Sequence, residues 1–202
     1  IANTAMNFDF MGIADHNHNE GPVMTPAKYA NGISEANLYT STHLDFVALF
    51  GMEWGTLSTG GHIAVYGVNQ LVGWNAGNYD LYNAKGDYNS LFNLVESTPN
   101  AYVTLCHPSN TDFGNIAGIA YNPIFDNAIV GVAVRNGPYN STNITYSDPT
   151  TSNHVSYYNK LLALGYHLGP TVDLDNHNSA TMGKCSQGRT VVLATSLSKA
   201  SI

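Results

Sequence analysis

Apolar runs of strand length alternate along the chain with stretches of helical spacing. Phe8–Ala14, Phe46–Phe50, His62–Gly67, Tyr102–Cys106, Ile129–Val134, Leu168–Val172 and Thr190–Ala194 read as strands, with Gly60-Gly61 as a turn ahead of the third. Between them, three segments read as helices. One runs from Pro26 to about Asn37, with Thr25 placed to cap it. The second follows Asp87 and carries Leu91, Phe92, Leu94 and Val95, and the third runs from about Thr151 to Leu164 and stops at Gly165. Ile1–Asn7 reads as the last turn of a further helix. Continuous apolar strands alternating with helices predict a parallel sheet covered by helices, open or closed into a barrel, as one domain over residues 1–202.

Composition narrows what such a domain does. Charged residues make up only 10% of the chain, against about 25% in a typical soluble protein. With seven Lys+Arg against fourteen Asp+Glu, the net charge is −7, too few cations to track a phosphate backbone, so nucleic-acid binding is not expected. No apolar run approaches the length of a membrane span. Polarity comes instead from neutral groups, with 24 Asn, 19 Gly and 13 Tyr, a surface that leans toward a periplasmic or secreted protein. The two cysteines, Cys106 and Cys185, do not decide the compartment.

The chemistry concentrates at strand ends. Asp15-His16, Glu53, His107 and Asp175-x-His177 each follow an apolar strand, and His62 begins one. In parallel α/β architectures the carboxyl ends of the strands converge on one face, where active sites are built. A lone strand-end histidine is ordinarily structural, Asp15 alone could form a turn, and Glu53 alone could be an exposed acid. Five strand ends bearing imidazole or carboxylate together point to a metal site of zinc, manganese or iron type. An EF-hand loop at Asp173-x-Asp175-x-His177 fails, since Asn178 and Lys184 stand where Gly and Glu are required. His18, His43, His154 and His167 lack ligand-like context and are set aside as structural or surface residues; Cys106 reads as a small core residue.

Taken in order, these motifs resemble the polymerase-and-histidinol-phosphatase (PHP) family of metal-dependent phosphoesterases. Met11-Gly-Ile-Ala-Asp-His16 is similar to the family's Thr-Asp-His strand, and Gly51-Met-Glu53 with Gly61-His62 to its paired Glu and His motif. Leu105-Cys-His-Pro108 is similar to Ala-His-Pro, and Asp173-Leu-Asp-Asn-His177 to Gly-Ser-Asp-x-His. The set looks most like the carbaryl-hydrolase-like metallohydrolases. The resemblance implies a distorted (β/α)7 TIM-like barrel holding two to three divalent ions, Zn, Mn or Fe. It implies that Glu53 bridges two ions, with Asp175 on the first and His62 and His107 on the second, and that His16 and His177 hold a third. Asp15 would orient a ligand. The family's leading His-x-His has no counterpart ahead of Asp15, so a barrel lacking its first strand and cut at both ends is expected. Ala133 stands where a Glu is frequent and is assigned no ligand.

The function implied is hydrolysis of a small phosphoester by a hydroxide bridging two ions, with Glu53 and Asp15 in the catalytic group and Arg135 gripping phosphate. Two alternatives stand beside it: ester or carbamate hydrolysis on the same metals, and a non-catalytic barrel binding carbohydrate.

Overall fold

A computed structural model describes residues 7–18, 24–75, 77–137, 152–177 and 188–202. The expected helix over Ile1–Asn7, and Cys185, fall on residues 1–6 and 178–187 and so lie outside the described residues, apart from Asn7 itself.

The main sheet has six strands: β1 (Phe10–His16), β2 (Val47–Thr56), β3 (Gly61–Tyr66), β6 (Tyr102–Leu105), β7 (Ile129–Asn136) and β8 (Gly169–Asp173), hydrogen-bonded in that order. Two short strands, β4 (Val72–Gly73) and β5 (Leu81–Tyr82), pair separately in the excursion between β3 and β6. Among the described residues, five α-helices accompany the sheet: α1 (Pro26–Thr42), α2 (Tyr88–Ser97), α3 (Asp112–Asn115), α4 (Pro123–Ala128) and α5 (Ser152–Leu164).

The expectation of a seven-stranded (β/α) barrel of parallel strands is corrected. The sheet is mixed and forms a half-barrel: β1–β2, β6–β7 and β7–β8 are parallel, whereas β3 is antiparallel to both β2 and β6. The reason is local. Only Leu57–Gly60 separates β2 from β3, and parallel pairing needs a crossover of roughly a dozen residues. Gly60 (φ 118°) and Gly61 (φ 95°) make the reversal, and Tyr88 Oη donates to Gly61 O at 2.6 Å to hold it. Nor is Thr190–Ala194 a strand. Val172 N–H is taken by the Thr190 side chain at 2.9 Å rather than by a ladder partner, and Val191 and Leu193 stay exposed.

Helix boundaries follow their caps. Thr25 Oγ1 accepts from Lys28 N and Asp87 Oδ1 from Ser90 N, opening α1 and α2. Asn122 with Pro123 opens α4 in the same way, a start signal the sequence reading passed over.

The two faces of the sheet differ in side-chain size. On the helix-covered face, Met52, Trp54, Ile63, Val65, Val103, Leu105 and Val132 are fully buried against Tyr29, Leu91, Phe92, Val95, Tyr157 and Leu161. Burying each large side chain is worth about 1.5–3 kcal/mol, and this layer is the core. The opposite face mixes small residues with polar and aromatic ones. Its cross-strand row runs His16, Glu53, Ala64, Thr104, Gly131, and the neighbouring row holds Ala14 and Gly51. Tyr66 and Tyr102 stack across this second row at 5.4 Å. A Cβ on Gly51 would sit 2.2 Å from Val65 O and 2.8 Å from the Tyr66 ring, so this crossing requires glycine.

Candidate metal centre

Strand direction decides where the side chains gather. β1, β2, β6, β7 and β8 run the same way, so His16, Glu53, His107 and Asp175 lie at their carboxyl ends or just beyond. β3 alone runs backwards, and it contributes His62 at its beginning. Reversing the strand and moving the ligand from its end to its start leaves the ligand at the same edge of the sheet. Register adds the lateral placement: His16 is opposite Glu53, and His62 is opposite Gly55, two residues on from Glu53 and on the same face.

Glu53 is the centre of the cluster, buried at 8% exposure. Its Oε2 lies 2.9 Å from His16 Nε2, while its Oε1 lies 3.0 Å from His62 Nδ1 and 3.5 Å from His107 Nε2. His62 Nδ1 and His107 Nε2 are 3.2 Å apart. Burial alone would raise the Glu53 pKa, but hydrogen bonds from His107, His16 and His62, with the charge of His62, hold it far below the ordinary carboxylate range. Burial likewise disfavours the His107 imidazolium, yet the hydrogen bond and charge of Glu53, with the charge of Asp175, hold its pKa above the ordinary value. His107 carries this geometry at φ 28°, a left-handed conformation costing about 1–3 kcal/mol in a residue with a side chain.

One oxygen of Glu53 and one nitrogen each of His62 and His107 lie within 4.8 Å of one another, so this group can hold a metal ion. Two imidazoles and a carboxylate would supply the donor set found in catalytic rather than structural zinc sites. His62 Nε2 is buried with no hydrogen-bonding partner among the described residues.

The other expected residues are arranged around this group. The His16 ring is 5.6 Å from that of His62 and 5.5 Å, edge-on, from that of His177. Asp175, at φ 46°, accepts from Asn136 Nδ2 at 3.3 Å and stands 3.6 Å from His177 Nδ1, placing the pair on the rim. Arg135 is half-buried near the end of β7. Asp15 is exposed and alternates with His16 to the other side of β1, its Oδ1 accepting the His16 N–H at 3.1 Å.

Two further residues lie beside the cluster, one of them the His18 set aside above as structural or surface. His18 is buried at 5% exposure, its ring stacked on His16 at 5.0 Å and 5.5 Å from His62. Asn17, at 1% exposure, ties the end of β1 to its surroundings. The alternation of an extended chain puts residues 16 and 18 on one side. Of the remaining histidines, His43 stacks on Tyr39 at the end of α1, His154 is half-buried on α5, and His167 is exposed and paired with Asp126.

No protein-family model matches this chain, and no curated protein matches it. Among the described residues no helix is long and apolar enough to cross a membrane.

Proposed function

We propose that the protein is a metal-dependent hydrolase of the PHP type, acting on a small phosphoester at the cluster around Glu53. The observation that carries this reading is the convergence of Glu53, His62 and His107 within 4.8 Å from three strands. Two to three divalent ions, zinc, manganese or iron, are the cofactors in this reading. A divalent ion held there supplies Lewis acidity and an activated water at neutral pH.

The chain's own residues then have distinct tasks. Glu53 stays ionised because three imidazoles surround it, and it offers its two oxygens to two sides of the centre. His62 and His107 supply neutral nitrogens to the Oε1 side, and His16 to the Oε2 side. Asp175 and His177 face the cluster from the rim, where an incoming substrate enters. Arg135, half-buried near the end of β7, would grip a phosphate in this reading, in a chain with only seven Lys+Arg.

The test is hydrolysis of 4-nitrophenyl phosphate, with 4-nitrophenyl acetate and an aryl carbamate as comparisons, by metal-stripped protein before and after zinc or manganese is added. Metal-dependent turnover of the phosphate ester that His107→Ala abolishes supports the reading. Turnover of only the acetate or the carbamate moves the substrate class to neutral esters, and metal-independent turnover overturns the assignment.

A further inference from the structure

Where β7 runs beside β8, Ala133 is partnered with Thr171 and Asn136 with Asp173. The step between these pairs is two residues on β8 but three on β7, so a bulge between Ala133 and Arg135 takes up the extra residue. Partnered positions share a face, and Ala133 is two residues on from Gly131, in the row that holds Glu53. The bulge therefore brings Asn136 to the cluster's side of the sheet, at the carboxyl end of β7 and beside Asp173.

Asn136 is 2% exposed, and hydrogen bonding settles which way its amide points. Nδ2 donates to Asp175 Oδ2 at 3.3 Å. An ionised carboxylate only accepts, so the amide nitrogen faces Asp175 and the oxygen faces away from it. Gly137 N donates to Asp173 O at 3.1 Å and holds the backbone just beyond. Asn136 Oδ1 is buried with no hydrogen-bonding partner among the described residues, and so is Asp173 Oδ2 on the adjoining strand. The other Asp173 oxygen, Oδ1, accepts from Thr171 Oγ1 at 3.3 Å.

A buried acceptor left without a donor is destabilising, and two on partnered residues need a common reason. Their surroundings supply one. Asp173 feels the charges of His107 and Glu53, and His107 that of Asp175, so both acceptors border the cluster. What satisfies them has to bring donors, and burial favours neutral hydroxyls over a charged ammonium.

We propose that Asn136 is a specificity-determining residue: its amide oxygen, together with Asp173 Oδ2, accepts hydrogen bonds from free hydroxyls on the alcohol part of the substrate. The substrate is then a polyol phosphate, not a simple alkyl or aryl one. The inference rests on reading the cluster as a phosphoesterase centre, and it names the substrate class of that centre. A site built to bond a hydroxyl rejects the analogue lacking it, because the acceptors then stay unpaired.

Phosphate release by zinc-loaded protein from glycerol phosphate and from propyl phosphate, the same carbon chain without hydroxyls, tests it. The unmutated protein is expected to prefer glycerol phosphate in kcat/KM by at least about tenfold. Asn136→Leu, similar in shape but without either polar atom, is expected to bring that ratio near one, whereas a merely structural role would lower both rates and leave the ratio. Equal rates on the two esters by the unmutated protein, or an unchanged ratio in Asn136→Leu, overturns the proposal. Calorimetric binding of dihydroxybutyl phosphonate and butyl phosphonate, neither of which can be hydrolysed, separates the inference from the reading beneath it. If neither ester is turned over, tighter binding of the dihydroxy ligand upholds hydroxyl recognition and removes the hydrolase reading; equal binding, or none, overturns both.

Discussion

His62 Nδ1 and His107 Nε2 stand 3.2 Å apart, on residues separated by 45 positions in the sequence. Both nitrogens also face Glu53 Oε1. At this distance two neutral imidazoles share at most one proton, and two imidazolium rings repel. A cation placed among the three atoms uses both lone pairs and the carboxylate charge together. The arrangement depends on β3 running backwards, because only its first inward-facing position brings an imidazole to the edge where β2 and β6 end.

Beneath the cluster, Asp173 shows how the site constrains the fold. Burial raises its pKa to about 6, although hydrogen bonds from Thr171 and Cys106 and the charge of His107 pull it down; Glu53 adds to the rise. The folded value lies above the ordinary 3.8, so the protonated acid favours folding. Its stabilising contribution is complete below the ordinary value and is lost as pH rises through about 6. In metal-free protein, Asp173→Asn is expected to gain on the order of 2 kcal/mol at pH 8 relative to its effect near pH 4. Urea unfolding at the two pH values measures this, and an equal effect at both contradicts it.

Gly51→Ala is expected to destabilise the fold by about 1–3 kcal/mol. The new Cβ would meet a backbone oxygen, Val65 O at 2.2 Å, which cannot swing away as a side-chain tip can. Because Gly51 is two residues from Glu53 on the same face, metal affinity should fall along with the thermal midpoint.

Much of this was legible in the sequence, and the reasons it was legible also mark where it stopped. Strand existence followed from apolar runs at β1, β2, β3, β6, β7 and β8, and α1 and α2 from Thr25, Pro26 and Asp87. Strand direction was not visible in those runs: Ile63-Ala-Val reads the same whether its neighbour is parallel or antiparallel. The four-residue link Leu57–Gly60 holds that information, because it is too short for a parallel crossover. Glu53, His62 and His107 were found because ligand-type residues at strand ends signal chemistry whichever way the sheet is wound. The burial of His18 could not be read from the sequence, because it depends on Asn17 and Trp74, whose contacts come from a distant excursion. Thr190–Ala194 has the composition of a strand, but the Val172 N–H of β8 donates to the Thr190 side chain instead of to a ladder carbonyl.

At the opposite end of β8, Asp126 anchors the chain just before the strand. Burial would raise its pKa, but the His167 side chain and backbone N–H, with Tyr121 Oη, hold it below the ordinary value. Stability from this group is therefore present above the ordinary carboxylate pKa and lost as pH falls through the depressed one. Asp126→Asn is expected to cost about 1 kcal/mol at pH 7, modest because the His167 ring is open to solvent, and nothing near pH 2. Metal uptake should be unchanged, since the cluster is at the other edge of the sheet; a matching loss of metal would show that the two ends are coupled.

The most direct test of the metal centre is metal content per chain after loading with zinc or manganese and removal of free ion, for the unmutated protein and for Glu53→Gln. The unmutated protein should retain stoichiometric metal, and Glu53→Gln, nearly the same shape without the charge, should retain little while remaining folded. Equal retention by the two, or none in the unmutated protein, would contradict a metal centre built on Glu53.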